Sequence, residues 1–344
     1  MEKEEKKITR YCTAERRGQT GCSAFSGLVY EVGPLTFDVH GHGHGQLPRL
    51  LYKPESWTKR TNVIFLDSPV GTGFSYADTD AGFRTGDTIA VHHILVFLNN
   101  WFQEVHPDFL SNPLYIAGDS YSGMIVPAVT FGIATSSPKP SLNLKGYLLG
   151  NPVTDHNFDA PSKIPFAHGM GLISDQLYQC VKDIYGNHIL EPYCTFASPH
   201  NPRIDKPFTS GVRQILQLQD FHLSEISSEC RGTVPSWQRC NYDILYTYDI
   251  KSSVRYHLDL TTRGYRSLIY SGDHDMIIPF IGTQAWIRSL NFSVVDEWRP
   301  WFVDGQVAGY TRSYSNNLTF ATVKVCASVL ASFKGCNTLI SWYA

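Results

Sequence analysis

No stretch of this sequence approaches the ~18 consecutive apolar residues that a membrane-spanning helix requires, so a membrane partner is not expected. An excess of charge of either sign is missing too. Lys and Arg number 29 against 31 acidic residues, and no long basic block occurs, which argues against nucleic acid or an anionic membrane surface as partner. Charged residues make up only 17% of the chain and low-complexity tracts are lacking, which excludes global disorder. Closely paired cysteines are absent. The eight cysteines are dispersed without zinc-type spacing, so neither a metal nor a cofactor is expected. The opening Met1-Glu-Lys-Glu-Glu-Lys-Lys mixes both charges and is followed by no apolar core of ~7–15 residues, so no signal peptide is expected in this chain.

What is present is ample apolar material: 42% hydrophobic residues, with 19 Tyr, 19 Phe and 7 Trp in 344 positions. That length fits one large α/β domain with an inserted cap as well as two separate domains. Scattered cysteines suit structural disulfides and an oxidising compartment. The tripeptides Asn291-Phe-Ser and Asn317-Leu-Thr are glycosylation sequons that point the same way. The run His40-Gly-His-Gly-His44 has no acidic or cysteine partner at metal-ligand spacing, and a solvated loop is the favoured reading of it.

Strand and helix signals alternate along the chain. Thr61 to Asp67 is a β-prone run stopped by Ser68-Pro69 and the glycines of Val70-Gly-Thr-Gly73. From Thr88, with Asp87 as N-cap, apolar residues recur with helical spacing as far as Trp101, and Pro107 ends the pattern. Leu114–Ala117, Leu144–Leu149 and Arg266–Tyr270 read as further buried strands, and Met124–Ala134 and Thr283–Leu290 as helices. Gln306–Thr311 and Leu318–Val325 form a hairpin across Asn316-Asn317. The rhythm predicts an open, mostly parallel sheet, interrupted by a proline- and cysteine-bearing insertion.

The chemistry lies between the second strand and its helix. Gly118-Asp-Ser-Tyr-Ser-Gly123 holds Gly-x-Ser-x-Gly at a strand-to-helix turn, the context of a nucleophile elbow that presents Ser120 away from the sheet. Such folds order their residues Ser, then acid, then His. The loop Ser271-Gly-Asp-His-Asp-Met-Ile-Ile-Pro279 supplies Asp275 as the acid, while Asp273 caps or shapes the turn; a wholly structural role for the pair is the alternative. A histidine should follow, and none does. All thirteen histidines lie at or before His274, which is wedged between the two aspartates. A serine without its general base is a weak nucleophile.

With those residues in view, the chain resembles the plant serine carboxypeptidase-like family, which includes carboxypeptidases and acyltransferases that use sugar-ester donors. The resemblance rests on Gly21-Cys-Ser-Ala-Phe-Ser-Gly-Leu28, Ser56-Trp-Thr-Lys, Asn62 to Tyr76, Gly118 to Gly123, Gly150-Asn-Pro-Val153, Trp237-Gln-Arg-Cys240 and Tyr265 to Lys324. It implies an α/β-hydrolase fold, a mostly parallel central sheet with an inserted cap, incomplete at both ends. It implies Ser120 as nucleophile, Asp275 as acid, the backbone N–H groups of Tyr121 and Gln19 as oxyanion donors, Asp119 in substrate binding, and a disulfide between Cys22 and Cys240. It implies a secreted or vacuolar protein whose partners are a small-molecule acyl donor and acceptor or a peptide, and it brings no cofactor.

The segments this implies are an atypical N-terminus at 1–17, core at 18–173, cap at 174–251, core at 252–324 and an atypical tail at 325–344. Departures from the family pattern cluster at the ends. Gly18-Gln-Thr-Gly-Cys22 stands where the family has Gly-Gly-Pro-Gly-Cys, the strands expected before it are missing, and cap residues are lacking near Arg231-Gly232. After Lys324 the family's glycine run and histidine are replaced. These departures imply a truncated or alternatively spliced form with impaired catalysis; a non-catalytic binding isoform is the alternative. Asp119, where family peptidases carry Glu, favours acyl transfer over peptide hydrolysis.

Overall fold

The computed structural model describes residues 7–11, 21–38, 48–136, 142–174 and 237–324, the first of these as backbone. Gln19, His40, His42 and His44 lie outside the described residues, as do Cys12, Cys180, Cys194, Cys230, Cys326 and Cys336 and most of the cap.

The strands are β1 (Lys7–Tyr11), β2 (Leu35–Phe37), β3 (Leu50–Tyr52), β4 (Thr61–Phe65), β5 (Thr85–Gly86), β6 (Leu114–Asp119), β7 (Leu144–Gly150), β8 (Tyr246–Thr247), β9 (Arg266–Gly272), β10 (Val294–Val303), β11 (Gln306–Tyr314) and β12 (Leu318–Val323). The helices are α1 (Asp87–Asn100), α2 (Ser122–Thr135), α3 (His156–Asp159), α4 (Lys163–Gly169), α5 (Val254–Thr262) and α6 (Phe280–Ser289). Eight strands form the main sheet in the order β10-β11-β12-β9-β7-β6-β1-β4. From β4 to β12 every pairing is parallel, and β11 runs antiparallel to β12 and β10.

Alternation along the strands explains why they read as continuous apolar runs. Leu114, Ile116, Tyr147, Leu149 and Ile269 join a core with α1, α2, α5 and α6, whereas Tyr115, Ala117, Leu148, Leu268 and Tyr270 face a second core with Trp57 and Trp301. Both faces of the sheet are covered, as parallel strands require. Asn316 and Asn317, at φ of 61° and 58°, turn β11 into β12 in the left-handed geometry of a tight hairpin.

Two expectations are corrected here. Of the strands read as missing before the Gly18–Cys22 loop, one is present: Lys7–Tyr11 lies between β4 and β6, with Ile8 opposite Leu114 and Lys7 opposite Thr61. Asp87 is not the N-cap of α1: Gly86 holds that position with extended backbone, and Asp87 is the first helical residue, its side chain directed into the core. The sheet pairing of β1 and the tertiary partners of Asp87 override what local propensity suggests.

Candidate active site

β6 delivers Asp119 and Ser120 to its C-terminal edge, and α2 leaves two residues later with Tyr121 at its N-cap. Ser120 has φ 56°, the left-handed region in which a non-glycine residue is strained by about 1–3 kcal/mol. A side chain at Gly118 would sit 2.4 Å from Ser122 Cβ, and one at Gly123 would sit 2.3 Å from the Val153 carbonyl oxygen. Both glycines are therefore demanded by the close approach of strand, helix and neighbouring loop.

That loop, Gly150 to Val153, clamps the turn. The Ser120 N–H donates to Gly150 O at 2.9 Å, and the Ser120 carbonyl accepts from the N–H groups of Val153 at 2.9 Å and Gly123 at 3.0 Å. Asn151, fully buried at φ 36°, extends the clamp sideways: its N–H donates to Tyr270 O at 2.8 Å, and its Oδ1 accepts from the Gly272 N–H at 3.2 Å. Its Nδ2 donates to Ser271 Oγ at 3.3 Å. The backbone around Ser120 is thus bonded, through one loop, to the end of β9 from which the acidic loop springs.

Asp275 lies in that loop, fully buried, with Oδ1 accepting from the N–H groups of Ile277 at 2.7 Å and Ile278 at 3.1 Å. The carboxylate therefore also shapes the entry to α6, an Asx-type turn. The Asp273 N–H donates to Val323 O at 3.0 Å, which fastens the same loop to the end of β12. His274 turns to its neighbour, Nδ1 standing 3.3 Å from Asp273 Oδ1. Asp119 is buried beside Ser120, in register with Gly150 of β7.

The loop after Gly21 has its own set of ties. Cys22 and Cys240 form a disulfide, and paired backbone bonds from Asn241 N–H to Gly21 O (2.9 Å) and Ser23 N–H to Arg239 O (2.7 Å) reinforce it. Asp67 locks this loop to the Val70–Gly73 turn. Its Oδ1 accepts from Ser23 Oγ at 2.8 Å and the Ala24 N–H at 2.7 Å, and its Oδ2 from the Phe74 N–H at 2.8 Å. Asn291 and Asn317 are exposed, at turns remote in the fold from this edge.

Sequence reasoning passed over Asn151, Asp67 and the true role of Asp87. Asn151 and Asp67 sit inside quoted motifs, but their spacing carries no hint of which backbone groups they bind. Asp87 accepts from Tyr121 Oη at 2.8 Å, Tyr246 Oη at 2.7 Å and the Ile250 N–H at 2.8 Å, partners up to 163 residues away. Among the described residues, no group of three or more His, Cys, Asp or Glu could hold a metal ion, and no helix is long and apolar enough to cross a membrane.

The family model described as serine carboxypeptidase matches residues 17–230 and 221–339. Serine carboxypeptidase-like 17 of Arabidopsis thaliana is 45% identical over 329 residues, 88% of this chain and 75% of that protein. Serine carboxypeptidase-like 3 of the same plant is 43% identical over 346 residues, 89% and 75% of the two chains. Among solved structures, Kex1(delta)p, a prohormone-processing carboxypeptidase from Saccharomyces cerevisiae, superposes with a TM-score of 0.72 at 20% identity, covering 98% of this chain and 83% of that one. The last likeness establishes a shared fold.

Proposed function

The chain belongs to the serine carboxypeptidase family and has the α/β-hydrolase fold, and from that premise we propose that it is built for acyl chemistry at Ser120. In this reading Ser120 Oγ attacks an ester or amide carbonyl and a C–O bond to Ser120 forms. The leaving alcohol or amine departs with a proton, and an acceptor alcohol or water then takes the acyl group. The Tyr121 and Gln19 N–H groups stabilise the oxyanion, Asp275 is the acid of the triad, and Asp119 contacts substrate. The observation that carries the reading is the left-handed backbone of Ser120, held by the Gly150–Val153 loop that also bonds to the acidic loop.

Asp119 in place of the Glu of family peptidases favours acyl transfer from a sugar ester; hydrolysis of a peptide C-terminus is the second reading. The substrate is a small acyl donor with its acceptor, or a peptide. Exposed Asn291 and Asn317, read as glycosylation sites, and the Cys22–Cys240 disulfide fit a secreted or vacuolar protein.

Within these 344 residues no histidine follows Asp275, and His274 faces Asp273. A serine whose base is not among these residues is a weak nucleophile, and the proposal for these residues is accordingly impaired acyl chemistry, with a non-catalytic binding isoform as the alternative. Labelling with a fluorophosphonate, read by intact-protein mass, tests this in the chain itself, in a version whose residues after Lys324 are replaced by a glycine-histidine family ending, and in S120A of that version. The expected result is labelling of the replaced version alone. Labelling of the unaltered chain sinks the impaired reading, and labelling that survives S120A sinks the assignment of Ser120.

A further inference from the structure

We infer that Asp87 is a positioning residue for the oxyanion side of the site, acting through the side chain of Tyr121; the inference rests on the reading of Ser120 as nucleophile. Asp87 is fully buried, and a carboxylate taken out of water needs donors for both oxygens. It has them: Tyr121 and Tyr246 donate their phenols to Oδ1, and the Ile250 N–H donates to Oδ2. Among the described residues no cation forms an ion pair with it. Burial first, and then the bond to Asp87, push the Tyr121 phenol far above its ordinary range; for Tyr246 burial and the charge of Asp87 do the same. Both phenols therefore remain protonated donors at any working pH.

The two donors differ in one respect. Tyr121 follows Ser120 in the chain and caps α2, so whatever fixes its ring also constrains the backbone whose N–H faces the developing oxyanion. Its ring is held along its length, edge-on to Tyr246 at 6.3 Å and to Tyr248 at 5.5 Å, with the hydroxyl locked at the tip. Tyr246 has no such link to the nucleophile. It belongs to the segment returning from the insertion, which is further tied to α1 by the bonds of Asp249 to Thr88 and by pairing of β8 with β5. A donor fixed in place before the reaction stabilises the transition state without reorganisation, and small misplacements are costly.

Y121F and Y246F each delete one phenol donor from the same Asp87 oxygen, so a purely structural role predicts equal effects from both. The test measures the inactivation constant kinact and the binding constant KI of a fluorophosphonate, together with the melting temperature, in the full chain carrying the glycine-histidine ending. Y121F is expected to lower kinact about tenfold with KI unchanged, and D87N to do so as well. Y246F is expected to lose melting temperature and keep kinact. Parallel loss of kinact and melting temperature in Y121F and Y246F, or an unchanged kinact in Y121F, overturns the inference while leaving Ser120 in place; it stands on Y121F even where D87N does not fold. Absence of labelling in the parent, before any variant is made, overturns the reading of Ser120 and this inference with it.

Discussion

Gly123 is a residue at which packing and chemistry make the same demand. A methyl group there would stand 2.3 Å from the Val153 carbonyl oxygen and 2.6 Å from Pro152 Cβ, and real Cβ atoms do not approach backbone that closely. The Gly150–Val153 loop would have to retreat, and that loop carries two of the three hydrogen bonds that hold the peptide groups of Ser120. G123A is therefore expected to destabilise the fold by about 1–3 kcal/mol, in the range of overpacked cores. The same variant should abolish fluorophosphonate labelling in the chain with the replaced ending, even well below its melting temperature. Denaturant unfolding checks the first effect and mass labelling the second; labelling at the parent rate would show that the loop does not control Ser120. Legibility in the sequence divides at this scale. Ser120, Asp119, Asp275 and the two glycines announce themselves by motif and chain order, because the elbow is a local device. Asp87, Asp67 and Asn151 do not, because each is defined by backbone donors distant in sequence, and Asp87 carries a misleading local signal as a helix-capping residue type.

Among the elements, α3 and α5 each bury a titratable group, and the two respond to acid in opposite senses. Asp159 of α3 holds the start of its own loop, Oδ2 accepting from the N–H groups of Thr154 at 2.8 Å and Asp155 at 3.1 Å, and burial pushes its carboxyl up to about 6. A group raised in the folded state adds stability that is present in acid and lost as pH rises through about 6. His257 of α5 is fully buried, stacked on Trp286 at 4.4 Å with Nδ1 2.7 Å from Tyr147 Oη, and burial lowers it to about 3. Its contribution has the reverse sign: present above its ordinary value near 6.5 and lost as pH falls. Between about pH 7 and pH 5, protonation of Asp159 adds about 1 kcal/mol and exclusion of a proton from His257 removes about 2 kcal/mol, so the two together leave the parent a net loss of about 1 kcal/mol. D159N should lose stability over that interval and H257F should gain it. Urea unfolding of both at the two pH values reads the slopes, and equal slopes would refute the opposition. The elements themselves were legible where apolar runs are continuous, as in β6, β7 and β9. β10 was not, since Val294 to Val303 mixes three charges, a proline and mostly exposed positions, the character of an edge strand. β1 was hidden in a charged opening segment and owes its place to two parallel neighbours.

At the scale of the whole molecule, the parallel order of the sheet explains how one edge gathers residues from four separate stretches of chain. β6 brings Ser120, β7 the Asn151 loop, β9 the Asp275 loop, and β12 ends beside that loop through the Asp273 to Val323 bond. The loop after Gly21 is held by a cross-link instead. Cys22 and Cys240 are separated by 218 residues, so their bond closes a loop that contains the nucleophile and the insertion. In the chain-entropy view, closing a loop of that length restricts the unfolded state by up to about 5 kcal/mol, with strain and residual structure reducing the realised value. The bond also sits among hydrogen bonds that Ser23 and Asn241 donate and Asp67 accepts, which fix the loop, so its loss loosens that loop first. A C22S/C240S double variant is expected to lower the unfolding free energy by about 3–5 kcal/mol. In the chain with the replaced ending it should also slow labelling of Ser120 at temperatures where the sheet remains folded, if the loop proposed to supply the second oxyanion donor is no longer held in place. Guanidinium unfolding with and without a phosphine reductant separates the cases: reduction should reproduce the double variant in the parent and change nothing in the variant. A midpoint in the parent that ignores the reductant would mean that Cys22 and Cys240 do not bear this load in solution, and that the hydrogen bonds of Asp67 alone position the loop.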